Sequence, residues 1–279
     1  MNIKNIISDS LRYPFRDWKK FLMFGLMFLI PFLVGFAVSS GEYVWISIIF
    51  MFFVGFFVNG YLFRILNTSL DDLTELPEFD DWKEMFIDGV KVFSVVIVYT
   101  APVILIIAYL LITFYQLFVI TGSTYHGILE LNQYILSLVN SEIGSMFENY
   151  MIILYDILGI YAIVGIFYII IIIPLCLMGL GNMANYHGEF SAAFRLREIF
   201  EDIDCIGWIN LIKWYIVIGI IYLILFRIIP GFISSILYLN HLFVPIIHLI
   251  WGGVLIGFIV IPFSYMFFAR AVALLYMSE

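Results

Sequence analysis

Charge is scarce in this chain. Asp, Glu, Lys and Arg make up 12% of its 279 residues, and no Lys or Arg occurs from Val92 to Phe194. A soluble domain carries about a quarter of its residues as charges, so a water-facing surface cannot be built from this composition. The formal charge of -8 leaves no basic face for nucleic acid. Cysteine is nearly absent: Cys176 lies in an apolar run and Cys205 in a polar gap, which excludes a disulfide framework and a thiolate metal site. There is no P-loop, no glycine-rich dinucleotide fingerprint, no Gly-x-Ser-x-Gly elbow and no His-Glu-x-x-His. No cofactor is called for.

What is present is apolar. Hydrophobic residues make up 64% of the chain, and the mean hydropathy is +1.08. Six runs, at 21–38, 44–65, 92–119, 154–180, 208–229 and 243–269, each come near or above the ~20 residues that cross ~30 Å of hydrocarbon. The first follows basic residues as a signal peptide does, but it is long enough to span and lacks a small-x-small cleavage site, so it reads as a retained helix. The third would be about 43 Å long if straight, and so must tilt, kink at Pro102 or emerge from the bilayer. Pro31, Pro174 and Pro262 sit where they can kink their helices. The fold class expected is all-α: an integral membrane six-helix bundle forming one domain over 1–279.

The cations fall in alternate gaps. Lys4, Arg12, Arg16, Lys19 and Lys20 precede the first run; Arg64, Lys83 and Lys91 follow the second; Arg195, Arg197 and Lys213 follow the fourth; Arg270 ends the sixth. Only Arg227 breaks the pattern. By the positive-inside rule these gaps are cytoplasmic. The expectation is a multi-pass protein of the cell membrane with both termini in the cytoplasm and an external segment at about 121–153.

An internal echo adds organisation. Phe15-Arg16-Asp17-Trp18-Lys19-Lys20 and Phe79-Asp80-Asp81-Trp82-Lys83-Glu84 align at an offset of 64, and Gly25 then matches Gly89. A looser third copy starts at Phe194-Arg195-Leu196-Arg197-Glu198. The unit suggested is an amphipathic cytoplasmic segment, at about 3–20, 71–91 and 187–207, followed by a two-helix hairpin. All three hairpins then share one orientation, unlike the inverted repeats of many transporters. Phe79, Trp82, Met85, Phe86 and Val90 share a helical face, as do Phe190, Ala193, Phe194, Ile199, Phe200 and Ile203. Two readings stand: such helices lie in the membrane interface with Trp18, Trp82, Phe79 and Phe194 as anchors, or they pack onto the ends of the membrane helices.

Gly60-Tyr61-Leu62-Phe63-Arg64, then Leu76-Pro77-Glu78-Phe79-Asp80-Asp81-Trp82 and Asp88-Gly89, and later Ala192-Ala193-Phe194-Arg195-Leu196-Arg197-Glu198, resemble a prokaryotic family catalogued as domain of unknown function 4013. The resemblance implies a multi-pass membrane protein. It carries over no catalytic or binding residue.

The sharpest chemical candidate is the acidic gap. Asp71-Asp72-x-x-Glu75, and Asp81, Glu84 and Asp88 on one helical face, have the spacing to hold Mg²⁺ through carboxylates and a bridged pyrophosphate. They resemble the aspartate-rich motifs of membrane prenyltransferases. Glu198, Glu201, Asp202 and Asp204 offer a second cluster, with Arg195 and Arg197 for phosphate oxygens. The bland reading is a solvated acidic face, with Asp80 capping the next helix. The first copy of the echo keeps the aromatics and replaces most of the acids, which favours that reading.

Intramembrane polar groups are few: Asp156, Lys213 and Arg227, all near helix ends, where snorkelling to an interface suffices. His126, His187, His241 and His248 are scattered and lack a third ligand for zinc. Gly253-x-x-x-Gly257 permits close helix packing. The leading functional expectation is a non-enzymatic protein acting by scaffolding, partner contact or lipid contact, its partners being membrane lipids, other membrane proteins or a second copy. A Mg²⁺-dependent enzyme on a lipid pyrophosphate and a small-solute or lipid transporter are the alternatives.

Overall fold

A computed structural model describes residues 2–38, 44–71, 73–129, 159–239 and 254–278, and among them all regular structure is helical. The elements are α1 (Ile3–Arg12), α2 (Trp18–Val38), α3 (Val44–Leu70), α4 (Trp82–Leu129), α5 (Gly159–Asn185), α6 (Leu196–Ile206), α7 (Trp208–Leu223, continued to Leu239) and α8 (Ile256–Tyr276). Short 3₁₀ turns at Tyr13–Arg16 and Phe190–Phe194 precede α2 and α6. Among the described residues five helices, α3, α4, α5, α7 and α8, are long and apolar enough to cross a membrane. The run expected at 21–38 forms α2.

Two boundaries differ from the sequence reading for physical reasons. The polar residues 82–91, expected as a separate segment, are the first turns of α4: Trp82 to Val92 contains no proline, and Gly89 stays helical where α4 crosses α3. Pro230, expected in a gap, lies inside α7, which reaches Leu239. The helix absorbs this proline by widening. The π turns Tyr168–Ile172, Ile224–Ile228 and Ile256–Val260 each end two residues before a proline of an Ile-Pro pair, Pro174, Pro230 and Pro262. Proline lacks an N–H and its ring crowds the carbonyl four residues back, which falls within the π turn in all three cases. Of the external segment, residues 121–129 are the end of α4, and the remainder, with Asp156, His241, His248 and Gly253, lies outside the described residues.

The chain divides into two compact units, Met1–Val96 with Leu175–Glu279, and Ile97–Pro174. The second comprises helical stretches of α4 and α5. In the first, α8 packs on α3 and α2, and α1 packs on α8. Its core gathers Tyr13, Phe21, Phe24, Tyr61, Ile65, Met85 and Met266.

Lipid is as apolar as these side chains, so close van der Waals contact, not water exclusion, must hold helices together within the bilayer. Glycine supplies it. A Cβ on Gly60 would lie 1.8 Å from the Met85 carbonyl oxygen, and one on Gly89 would lie 1.8 Å from that of Phe56, so α3 and α4 cross with backbones in contact. Gly25 meets the Phe258 carbonyl of α8 in the same way, at 2.6 Å. Gly257, half of the sequence's Gly-x-x-x-Gly, has nothing within 4 Å of such a Cβ among the described residues. Gly60→Ala and Gly89→Ala are expected to cost about 1–3 kcal/mol each through overpacking, whereas Gly219→Ala, in open space, should be neutral or stabilising. Reversible unfolding in mixed micelles would separate the two classes, and equal effects at all three positions would refute the close crossing.

Candidate functional site

The charged end of the first unit is organised around residues 73–81, between α3 and α4. This stretch has no regular hydrogen-bonding pattern, so its carbonyl groups need partners from elsewhere. Long side chains provide them in sequence order. Arg270 Nη1 donates to the Leu73 carbonyl at 3.0 Å and Arg16 Nη1 to Thr74 at 2.8 Å. Tyr13 Oη donates to Glu75 at 3.3 Å, Lys20 Nζ to Leu76 at 2.6 Å and Tyr61 Oη to Pro77 at 3.2 Å. Arg64 serves three more, donating to the carbonyls of Glu78 (3.3 Å), Asp80 (2.7 Å) and Asp81 (3.0 Å).

The donors are themselves positioned. Tyr13 is fully buried, with the guanidinium of Arg16 5.5 Å and that of Arg270 5.1 Å from its ring centroid. Burial raises the Tyr13 phenol above its ordinary value, against the opposing influence of those two cations, and so keeps it protonated and donating. Asp9 of α1 accepts from Arg16 and, at 2.9 Å, from Arg270 Nε. Arg270 is nearly buried, and its charge is compensated by that carboxylate. Phe79 lies flat on Tyr61, ring centroids 4.0 Å apart at 7°.

Acidic side chains of this stretch pair with the clamp's own cations. Asp80 Oδ1 meets Arg64 at 2.8 Å, Glu78 meets Lys20 at 2.7 Å, and Glu84 lies 4.0 Å from Arg64. Asp88, nearly buried, pairs with Lys91 at 3.2 Å, and Lys91 also donates to the Gly188 carbonyl. Asp81, Glu84 and Asp88 do line one cavity of about 420 Å³ with Arg64 and Asn67. Among the described residues no three His, Cys, Asp or Glu side chains converge as a metal cage. Asp72 lies outside the described residues. The residue preceding α4 is Asp81, with φ +40, so the helix-start position falls to it and Asp80 turns to Arg64 instead. In the first copy of the echo Asp17 holds that position, accepting from the backbone N–H groups of Lys19 (2.9 Å) and Lys20 (3.2 Å).

The third polar segment is likewise internally paired. Glu198 meets Asn182 and Arg195, Glu201 meets Arg197, Asp202 accepts from Tyr276, and Asp204 accepts from Trp208 Nε1. The Ser191 hydroxyl, then the Arg195 guanidinium, hold the Glu189 carboxyl below its usual range. Asn182 also donates to the Ala192 carbonyl at 2.9 Å.

Of the four residues expected as interface anchors, Trp18 and Trp82 are 57% and 48% exposed and open α2 and α4, whereas Phe79 and Phe194 are half-buried, on Tyr61 and Phe190 respectively. The aromatic that opens α7 is Trp208, also 48% exposed. The third copy expected at Phe194 opens the polar segment ahead of α6, and α7 follows the Ile206-Gly207-Trp208 junction, with Gly207 at φ +86. The clamp donors Tyr13, Tyr61 and Arg270 escaped sequence reasoning, because nothing local distinguishes a carbonyl-binding arginine from a membrane-flanking one.

Two outcomes test the clamp. Arg64→Lys, which loses the planar fork, and Arg64→Met are expected to destabilise the protein, the latter by on the order of 3 kcal/mol, and to expose 73–81 to limited proteolysis. Unchanged protection would overturn the assignment. The Tyr13 phenol is raised above its ordinary value of 10.0, so its stabilisation is complete below that pH and is lost as pH rises through the folded value. The stability difference between wild type and Tyr13→Phe should therefore shrink only above about pH 10, measured by unfolding at stepped pH.

No curated protein and no solved structure matches this chain. The family described as "Protein of unknown function (DUF4013)" matches residues 43–238, a range that includes the clamped stretch 73–81, the α3 and α4 crossing and the polar segment with α6. With the greater part of its length matched, the chain belongs to the DUF4013 family.

Proposed function

We propose that this protein is a non-catalytic, multi-pass protein of the cell membrane that acts by contact with lipid and with neighbouring membrane proteins or a second copy of itself. On this reading six helices form three like-oriented hairpins, and the charged end, with both termini, faces the cytoplasm. The alternate-gap placement of Lys and Arg supports that orientation.

One observation carries the reading. The arginines, lysine and tyrosines that an enzyme would turn toward a substrate are turned on the chain's own backbone at 73–81. The large groups left facing outward at this end are aromatic, with Trp18, Trp82 and Trp208 at the first position of their helices. Indole at a helix start suits headgroup depth, where its ring is apolar and its N–H finds a partner. Asp80, Asp81 and Glu84 flank Trp82, so lipid contact there depends on aromatic burial more than on attraction to anionic headgroups.

The expected outcome is that Trp18→Ala combined with Trp82→Ala reduces interfacial docking of the charged end, read as lost quenching of the remaining indoles by brominated lipid and as faster hydrogen exchange over α1 and 71–91. Wild-type insertion, association and protection in the double variant would sink the interface role, and a strong loss of lipid contact with added salt would contradict its aromatic basis.

A further inference from the structure

Beside the clamp, α2 and α3 diverge to leave a groove of about 310 Å³ lined by Met23, Leu26, Ile30, Phe50, Val54 and Phe57, with Phe79 and Trp82 over its polar end. Every lining side chain is apolar or aromatic. Phe79 is held as a roof by its stack on Tyr61, and the backbone on either side of it is fixed by Tyr61 and Arg64. Phe57 meets Trp82 edge-on at 5.8 Å. The walls are therefore preformed.

The dimensions and charge of the groove select an occupant. Lys19, Met23, Leu26 and Ile30 follow helical spacing along one face of α2. From Lys19 to Ile30 is roughly 16 Å at 1.5 Å per residue, about half of the ~30 Å hydrocarbon thickness, which is the depth of a single leaflet. At the shallow end Lys19 is exposed and has no side-chain partner among the described residues, and Lys83, next to Trp82, is in the same condition. The carboxylates of Glu78 and Asp17 face Lys20, at 2.7 and 3.8 Å, and that of Asp80 faces Arg64. A cation at headgroup depth above an apolar channel one leaflet long is complementary to a phosphate carrying an aliphatic chain. At about 310 Å³ the space lies at the small end of ligand sites, enough for one chain and not for two.

We infer that this groove holds one aliphatic chain of a membrane phospholipid, in the leaflet at the charged end, with its phosphate on Lys19. This rests on the membrane placement above and deepens it from general lipid contact to a retained lipid.

The test uses the full chain in nanodiscs containing a phosphatidylglycerol with a photoactivatable diazirine on one chain, followed by mapping of the adducts. Adducts should concentrate on peptides containing Met23, Met27 and Phe57. Val54→Trp, which fills the groove, should lower them at least three-fold, and Lys19→Glu, an exposed change that leaves the core untouched, should lower them similarly. Ile216→Trp, on the outward face of α7, should not. Adducts spread evenly over the outward helix faces, or unchanged by Lys19→Glu, would show ordinary annular lipid and overturn the site. Brominated-lipid quenching of Trp18 and Trp82 in the same samples keeps the outcomes separate: preserved quenching with an empty groove removes the lipid site alone, and lost quenching removes the interface reading as well.

Discussion

An irregular backbone stretch has carbonyl groups that helix geometry leaves unpaired, and the polar end of the first unit is arranged around that constraint. A hydrogen bond to such a group contributes about 0.5–1.5 kcal/mol, and residues 73–81 contain eight carbonyls that side chains pair. The donors are drawn from the turn after α1, from α2, from α3 and from α8. One short segment therefore ties the start, the middle and the end of the chain together. The ion pair between Arg270 and Asp9 closes the longest of these links, across 261 residues of sequence.

The same device recurs around the charged end. Arg64, near the end of α3, grips the segment that leads into α4; Asn182, near the end of α5, grips the Ala192 carbonyl and Glu198 ahead of α7; Arg270, near the end of α8, grips Asp9 ahead of α2. In each case a polar side chain at the close of one apolar helix satisfies the polar segment before another. The glycine crossings fit this order, with α4 on α3 through Gly89 and α2 on α8 through Gly25. The polar hydrogen bonds fix the helix ends laterally, and the glycines set how closely the helices approach beneath them. Neither would suffice alone, because packing in lipid has no hydrophobic drive behind it and exposed polar contacts are individually weak.

This arrangement also explains why acidic residues with metal-like spacing do not form a cage among the described residues. Glu84 and Asp88 lie on α4 with Asp81 just before it, and Arg64 and Lys91 meet Glu84 and Asp88. Spacing along a sequence cannot report which cation will arrive from another helix. Trp18 and Trp82 each open a helix, and Asp17 and Asp81 hold the position before them.

What the sequence determined by itself was the solvent and the helices. Runs of about 20 apolar residues admit only helical backbone in lipid, since every N–H and C=O must be paired within the segment, and that logic is local. Pro174 and Pro262, expected to bend their helices, lie just past π turns, whereas Pro230, expected in a gap, falls inside α7. The tertiary structure alone decided which helix lies against which, that Tyr13, Tyr61 and Arg270 serve the carbonyls of 73–81, and that α2 and α3 part to leave an apolar groove. These are relations between residues tens to hundreds of positions apart. They depend on side-chain reach and helix crossing, which no periodicity along a single segment encodes.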